Sequence, residues 1–406
     1  MRGIAFWTAA ALLFCLMVGI PSAGAGPQAP PITQGSSAAT PAPPATTAAP
    51  QSPPAAPQAP PVAEAPPPQA PAANTSKVFN PDIAVIGNFI AAGGRSTGNP
   101  DPPKAFELSE AELSLQAAVD PYARADVFLS FGEHGVNVEE GYVTFPTLPL
   151  GLLLKAGKMR AAVGKVNTLH THVLPWADRP LVTRNLLGGE DGIDDAGVSV
   201  ARIIPIPWFF LEATAQVFRG DSADVFHSNK RGDVSYVGRL RAYQDLSEST
   251  NIDVGASVAY GHNDAGVVSG VDIGRFTTRL FVVDATLRWK PLKRAIYHSF
   301  VLRSELVWSR REQTDGPQSG FGYFVGADYQ LGRRWYVGAR IDRSAHADRA
   351  SLVDNGQALV LTYMPSEFSV VRAMLRRTRY ALQTQAANEG LLQIQFAIGA
   401  HGAHPF

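Results

Sequence analysis

The chain has 406 residues, of which 35 are basic and 35 are acidic, so it carries no formal net charge. A balanced chain lacks the excess of basic residues that nucleic-acid binding needs, and no nucleic-acid partner is expected. Beyond the N-terminus, no stretch reaches the roughly 18 consecutive apolar residues that a membrane-spanning helix requires.

The N-terminal segment, residues 1–25, has the pattern of a secretory signal peptide. Arg2 precedes an apolar core over residues 4–20, and small residues follow up to Ala25. This order of a positive start, an apolar core and a small-residue cleavage site predicts removal after about Ala25. The only cysteine, Cys15, lies inside that core. The mature chain is therefore expected to contain no disulfide and no cysteine-based metal site or nucleophile.

Residues 26–77 form a Pro/Ala-rich linker that is predicted to be disordered. Between residues 27 and 73 nearly every residue is Pro, Ala, Gln, Thr or Ser, which cannot bury a core and favours an extended polyproline II conformation. At about 3.1 Å per residue such a segment reaches on the order of 150 Å. It is interpreted either as a spacer or as a tether that contacts peptidoglycan.

The rest of the chain, residues 78–406, predicts an all-β domain of about sixteen strands because apolar residues recur at every second position. In the last such segment, Leu392, Ile394 and Phe396 alternate with Gln393 and Gln395. The predicted strands are 82–91, 105–119, 122–131, 136–146, 150–159, 192–204, 208–219, 234–244, 251–262, 276–290, 297–311, 320–331, 335–343, 356–364, 368–379 and 390–400.

The connections between these segments distinguish a barrel from a soluble sandwich. Along the chain, short turns alternate with longer polar loops. Residues 120–121 and 365–367 are examples of the turns, and residues 92–104 and 344–355 are examples of the loops. Only the connection over residues 132–135 breaks this alternation. Short turns at one rim and long loops at the other are typical of an antiparallel transmembrane β-barrel of the bacterial outer membrane. Such a barrel contacts outer-membrane lipid, and an even strand count places both termini at the periplasmic rim.

One stretch, residues 160–191, shows neither strand alternation nor a helical repeat. A long irregular insertion in a compact domain is usually functional or disordered. We predict that it is the third outer loop, that it folds into the lumen and that it narrows the pore. The candidate constriction residues are Lys165, His170, His172, Trp176, Arg179 and Arg184.

Arginines fall on the polar faces of the predicted strands and are expected to line the lumen. The planar guanidinium suits phosphate and carboxylate, which favours an anion-preferring path. Acidic residues share the same faces, so cross-strand ion pairing is the alternative interpretation. The lumen candidates are Arg239, Arg241, Arg288, Arg303, Arg340, Arg372 and Arg376, and the acidic neighbours are Asp253, Asp284, Glu305, Asp328 and Asp342.

Four histidines are the candidate metal ligands: His170 and His172 in the irregular stretch, and His401 and His404 beside the C-terminus. Imidazole is a common zinc ligand, so two such pairs together could supply four ligands. In an extended segment, however, the two rings of an H-x-H point to opposite sides. Loop contacts and hydrogen bonds to the barrel wall are the alternative. No cofactor is expected, and zinc is the one candidate.

Three stretches, residues 79–90, 119–145 and 148–182, together with the C-terminal GAHGAHPF, resemble the porin-like outer-membrane proteins grouped with phosphate-selective porins O and P. The resemblance implies a sixteen-stranded barrel of the general porin type. Some relatives carry the label of a zinc-regulated TonB-dependent receptor. This sequence departs from such receptors, because we expect no plug domain of usual size before its first strand. The terminal Phe406 resembles the signal that the barrel assembly machinery reads.

Together these patterns predict a porin-like channel for passive diffusion of small hydrophilic solutes, with an anion preference. The alternative is an outer-membrane receptor or transporter specific for zinc or a metal chelate. No G-x-S-x-G motif and no local grouping of serine, histidine and carboxylate is present, so no enzymatic activity is expected. Porins of this size are often trimeric, and a homotrimer is expected by analogy alone.

Overall fold

The structure, a computed structural model, describes residues 81–132, 135–222, 225–228, 230–268, 271–272 and 275–399. The predicted signal peptide and linker therefore lie outside the described residues, as do His401, His404 and Phe406. Within the described part, no helix combines the length and the apolar character that crossing a membrane requires.

Sixteen strands close into one antiparallel barrel, which confirms the predicted fold class and strand number. The barrel strands are β1 (Asp82–Arg95), β2 (Phe106–Asp120), β3 (Ala123–Gly132), β4 (Gly135–Leu148), β5 (Leu152–Arg160), β6 (Asp194–Ile204), β7 (Phe210–Phe218), β8 (Ser235–Ser247), β9 (Thr250–Asn263), β12 (Phe276–Trp289), β13 (Phe300–Arg311), β14 (Gln318–Gln330), β15 (Trp335–Ala345), β16 (Val353–Ser366), β17 (Ser369–Arg379) and β18 (Ala387–Gly399). Two short strands, β10 (Val267–Val268) and β11 (Val271–Asp272), pair with each other between β9 and β12. Closure comes from the pairing of β1 with β18, which removes the free sheet edges.

Helical structure is confined to the connections. The one α-helix of the described residues, α1, spans Leu181–Leu186 in the connection between β5 and β6. Short 3₁₀ turns occur at Pro149–Gly151, Val166–Thr168, Thr171–Val173, Asp264–Gly266 and Leu292–Arg294.

Side chains alternate between the two faces of the wall as the period of two predicts. In β18 the side chains of Leu392, Ile394 and Phe396 are exposed on the outer surface, whereas Gln393 and Gln395 are buried toward the lumen. The barrel therefore has an apolar outside and a polar inside along this strand. This is the arrangement that a barrel needs when lipid surrounds it and water fills it.

The two rims also differ as predicted. One rim carries short turns, for example residues 121–122 and 367–368, and the other carries the longer loops, for example residues 96–105 and 346–352. The connection over residues 290–299 is longer than predicted because the Leu292–Arg294 turn delays the start of β13. Both ends of the described barrel, Asp82 and Gly399, lie at the rim of short turns.

Candidate functional site

The connection between β5 and β6, residues 161–193, is named loop 3 here, and it lies inside the barrel as predicted. Its apolar side chains belong to the same buried cluster as apolar residues of the inner wall. On the loop these include Val166, Leu174, Trp176, Val182 and Leu186. The wall contributes residues from β8, β9, β12, β13, β14, β16, β17 and β18, namely Val237, Ala259, Leu280, Val282, Val307, Phe324, Ala358, Val360, Met374 and Leu391. Loop 3 therefore lies in the lumen and shares one apolar cluster with side chains of these wall strands.

Glycines on β14 make room for loop 3 at one side of the wall. A Cβ atom added at Gly326 would lie 2.7 Å from the Trp176 ring, and one added at Gly322 would lie 2.8 Å from Val182. The ring of Trp176 meets Phe324 edge-on at a centroid distance of 5.2 Å. The alternating glycines thus form a hollow in the wall into which the middle of the loop fits.

Backbone amides hold the start of loop 3 to inner-wall side chains. The amides of Lys165 and Val166 donate to Glu305 Oε1 at 2.5 and 2.6 Å. Gly164 N–H donates to Ser257 Oγ at 2.9 Å. Without these acceptors the buried amides would have no partner, which is costly in a lumen that excludes water locally.

An ion-pair network fixes the middle of loop 3 to β15 and β17. Asp178 contacts Arg340 Nη2 at 2.9 Å and Arg376 Nη1 at 2.8 Å. Burial raises the pKa of Asp178, but the two guanidinium groups outweigh this effect and hold the pKa below its ordinary value. Asp178 therefore joins the loop to the wall as a carboxylate, although the sequence analysis did not single it out.

The candidate constriction residues occupy distinct positions. Lys165 is partly exposed to the lumen and contacts Asp253 Oδ2 at 3.1 Å. Trp176 is buried and lies under Arg340. Arg184 contacts Glu190 at 2.9 Å within the loop. Arg179 is fully buried and donates to the carbonyls of Val166 and Leu169, so it braces the loop internally.

Most of the predicted lumen arginines are ion-paired, as the alternative interpretation proposed. Arg239 contacts Asp284, Arg241 contacts Asp253, and Arg303 contacts Asp328. Arg340 and Arg376 join the network around Asp178 described above. Arg372 instead donates to the Gln393 side chain and to the Trp176 carbonyl. For Arg288 the structure gives a position in the lumen beside Arg303 and Lys165.

A separate cluster of buried carboxylates lies on the inner faces of β2 and β4. Glu110 and Glu112 occupy alternate, inward positions of β2, and both are buried. On β4 the pairing with β3 shifts register between Val138 and Glu140. This β-bulge brings Glu139 and Glu140, which strict alternation would place on opposite faces, to the lumen together.

His170 and His172 of loop 3 face this cluster. The 3₁₀ turn Thr171–Val173 bends the backbone, so both rings lie on one side with centroids 5.6 Å apart. The expectation that an extended H-x-H separates the rings is therefore wrong. Burial lowers the pKa of His170, but the adjacent carboxylates of Glu112, Glu139 and Glu140 outweigh this effect and raise the pKa well above its ordinary value.

Sequence reasoning missed all four glutamates of the cluster. The signals that could have found them are the Glu-x-Glu of β2, which repeats on one face, and the Glu-Glu pair within a strand of otherwise alternating character. Neither signal indicates that loop 3 would reach them. The proposed pairing of His170 and His172 with His401 and His404 remains a prediction, because the latter two lie outside the described residues.

Comparisons with known proteins place this geometry in context. No family model matches the chain. An uncharacterized protein from Aquifex aeolicus (strain VF5) is 29% identical over 389 residues, covering 82% of this chain and 81% of the relative. The solved anion-selective porin from Comamonas acidovorans aligns at a TM-score of 0.55 with 12% identity, over 79% of this chain and 99% of that chain. The trimer form of Vibrio cholerae OmpT aligns at a TM-score of 0.51 with 9% identity, over 79% of this chain and 100% of that chain.

Both solved structures share the fold of this chain. At 9–12% identity, the likeness extends to the fold alone. The narrower resemblance to phosphate-selective porins O and P stays a prediction. The chain has the barrel fold of the outer-membrane porins.

Proposed function

We propose that the protein is an outer-membrane channel for passive diffusion of small hydrophilic solutes, narrowed by loop 3, with no enzymatic activity. The observation that carries this proposal is a closed barrel of sixteen strands whose charged lumen is crossed by an anchored loop. A barrel of this size is wide enough for a water-filled path. Loop 3 reduces that path and brings charged side chains to it.

The outer surface supports membrane insertion. Large apolar side chains are exposed on many strands, among them Val258, Leu359 and Ile394. Exposed aromatic residues such as Trp335 and Tyr329 lie near strand ends, where their amphipathic rings favour the membrane–water interface. In water such a surface would drive association, whereas lipid stabilises it.

The ion pairs at Asp253 support an anion preference, because their cations reach further into the lumen than the carboxylate does. The side chain of Arg241 is 39% exposed, and that of Lys165 is 25% exposed, whereas their shared partner Asp253 is 2% exposed. Water and solutes therefore meet the cation of the pair while the carboxylate lies behind it. A cavity of about 40 Å³ beside loop 3 is lined by Lys165, Arg288 and Arg303 together with Glu305. The porin from Comamonas acidovorans is named as anion-selective, which agrees with this proposal.

The test is the reversal potential of the refolded mature protein across a planar bilayer with a salt gradient. We expect the sign of an anion-preferring pore. The double variant Arg241→Ala/Arg303→Ala should move the reversal potential toward the cation side, because it removes partly exposed cations and keeps Asp253 and Asp328. Arg349→Ala, in the exposed loop over residues 346–352, is the matched control and should behave as wild type. A cation-selective wild type would refute the preference, and no conductance at all would refute the channel.

The expected partners are part of the same proposal. A homotrimer is supported by the likeness to a porin solved in a trimer form, and chemical crosslinking in detergent tests it. Phe406 is proposed as the signal for the barrel assembly machinery, and its deletion should reduce insertion of the protein into the outer membrane. The linker over residues 26–77 is proposed to contact peptidoglycan, and a pull-down of that segment with purified peptidoglycan should retain it.

A receptor or transporter specific for zinc or a metal chelate is the second candidate. The grouping of His170 and His172 with buried carboxylates favours it. Single-channel recordings separate the two functions, because a passive pore conducts steadily whereas a receptor barrel stays closed without its ligand.

A further inference from the structure

We propose that Glu110, Glu112, His170 and His172 bind a divalent transition-metal ion of the Zn²⁺ type, with Glu112 as the carboxylate that both histidines share. The site joins loop 3 to the inner face of β2, with β4 behind it. The proposal stands on the geometry of this cluster and does not depend on whether the barrel conducts.

The candidate ligand atoms form two groups that share Glu112, and in each group the atoms lie within 4.8 Å of one another: Glu110, Glu112 and His172, and Glu112, Glu139 and His170. His170 Nδ1 lies 2.8 Å from Glu112 Oε2, and His172 Nδ1 lies 3.5 Å from the same oxygen and 3.8 Å from Glu110 Oε2. Ligands at about 2.1 Å from a tetrahedral zinc ion lie about 3.4 Å from one another. The observed separations lie on both sides of that value, so small side-chain adjustments place an ion among them.

The burial of these atoms also favours an ion at the centre of the cluster. Oε2 of Glu110, Oε2 of Glu112 and Nδ1 of His170 are all buried, and within the part of the chain that the structure describes none of them has a hydrogen bond of good geometry. The Glu112 side chain is only 2% exposed, and that of Glu110 is 9% exposed. Carboxylate oxygens buried this deeply normally have hydrogen-bond donors, and their absence is costly. An ion at the centre of the cluster would satisfy all three atoms at once.

The second nitrogen of His170 has the partner that a metal-binding histidine requires. His170 Nε2 lies 2.7 Å from Glu140 Oε1. The other oxygen of Glu140 accepts the backbone N–H of Arg160 at 3.1 Å. Metal-bound histidines typically donate their free ring N–H to a carboxylate, which fixes the tautomer and leaves the opposite nitrogen facing the ion. Glu140 is therefore a positioning residue, and Nδ1 is the ligand atom.

Charge and ligand type both select the kind of ion. Glu110, Glu112, Glu139 and Glu140 bring four negative charges, and Arg160 contacts Glu139 at 2.6 Å and balances one of them. A bound metal ion would displace the proton from each imidazole, and the remaining three negative charges favour a divalent cation. Two imidazole nitrogens select zinc or a similar transition metal, because Ca²⁺ and Mg²⁺ prefer oxygen ligands alone.

The test is isothermal titration of the refolded, chelator-dialysed mature protein with ZnCl₂ alone, and separately with MgCl₂. Wild type should bind zinc, with at least tenfold weaker binding of magnesium. Glu112→Gln and His170→Ala/His172→Ala should each weaken zinc binding at least tenfold. Glu140→Gln should weaken it by about 10–100-fold through the orientation of His170.

Two controls make the result specific. His346→Ala removes a histidine that also contacts a carboxylate, Asp354 at 2.9 Å, but lies outside the cluster, and it should bind zinc as wild type does. His401→Ala/His404→Ala should also bind as wild type. Should a cluster variant fail to refold, the d–d absorption spectrum of Co²⁺-loaded wild type still reports whether imidazole and carboxylate ligands surround the ion. Absence of zinc binding by wild type, or its loss only in His401→Ala/His404→Ala, would overturn the proposal.

Discussion

The hollow in β14 gives the sharpest test of how loop 3 is held in the lumen. Gly326→Leu introduces four carbon atoms where even a Cβ would lie 2.7 Å from the ring of Trp176. Trp176 is 1% exposed, so the ring cannot shift within its site and must leave it. The change therefore tests the contact between loop and wall without altering any charge.

The energy lost when Trp176 leaves its site can be estimated from its contacts. At about 25 cal/mol per Å² and 150–250 Å² of buried surface, its burial contributes about 4–6 kcal/mol. The edge-on contact with Phe324 and the Arg340 guanidinium 4.8 Å from the ring centroid add about 1–3 kcal/mol. Leu174, Val182, Leu186 and Leu187 remain buried and together contribute roughly 6–12 kcal/mol. We therefore expect the segment around Trp176 to move away from β14 while α1 stays packed against the wall.

Two measurements check this expectation. Single-channel conductance should rise in Gly326→Leu, because a segment of the constriction leaves its position. Iodide should quench an additional fraction of the tryptophan fluorescence, and this fraction should be absent from Gly326→Leu/Trp176→Phe. Gly93→Leu is the matched control, since a Cβ added at Gly93 meets no atom within 4 Å. Wild-type conductance together with an unchanged quenchable fraction in Gly326→Leu would refute the proposed seating of the loop.

Three further predictions concern the polar anchors of loop 3. Asp178→Asn removes one carboxylate from Arg340 and Arg376, which keep Asp342 and Glu389 as their acidic partners. A broken buried pair costs about 3–5 kcal/mol when the remaining charge has no partner, so we expect a smaller loss here and a lower thermal unfolding temperature. Asp264→Asn, at a half-exposed carboxylate that contacts Arg311, should change the unfolding temperature little. Glu305→Ala leaves the amides of Lys165 and Val166 without their acceptor and should lower the free energy of unfolding by about 1–3 kcal/mol for each amide, measured by denaturant unfolding in detergent. Glu305→Gln keeps an acceptor oxygen and should lower the free energy of unfolding less. Equal losses in the two variants would contradict the reasoning. Arg372→Ala removes the donor to the Trp176 carbonyl and should increase current noise in bilayer recordings, and noise no greater than that of Arg349→Ala would count against this anchor.

The strands could be predicted because their signal is local. The alternation in β18 and β15 depends only on neighbouring residues, and each predicted segment coincides with a barrel strand. The same periodicity failed at Glu139 and Glu140, where a bulge overrides it. A bulge depends on the register with the partner strand, and no pattern within β4 alone encodes that register.

For loop 3, too, the sequence predicted the kind of segment but not its contacts. Its lack of periodicity indicated that it is neither strand nor helix, and its position in the order of connections placed it at the rim of long loops. Asp178 and Trp176 help to anchor the loop, and their partners are on β14, β15 and β17, far along the chain. Arg179 looked like a pore residue from composition alone, but the fold buries it in the loop.

The amino-acid order by itself determined the number of strands and, away from the bulge at Glu139 and Glu140, the face on which the side chains of a strand lie. It also determined the rim of most long loops. The reason is that a period of two and the length of a connection depend on consecutive residues alone. Only the closed barrel decided that His170 and His172 meet the glutamates of β2 and β4, and that lumen arginines meet aspartates of other strands. Those encounters depend on closure, register and the path of loop 3, which arise from contacts between residues distant in sequence.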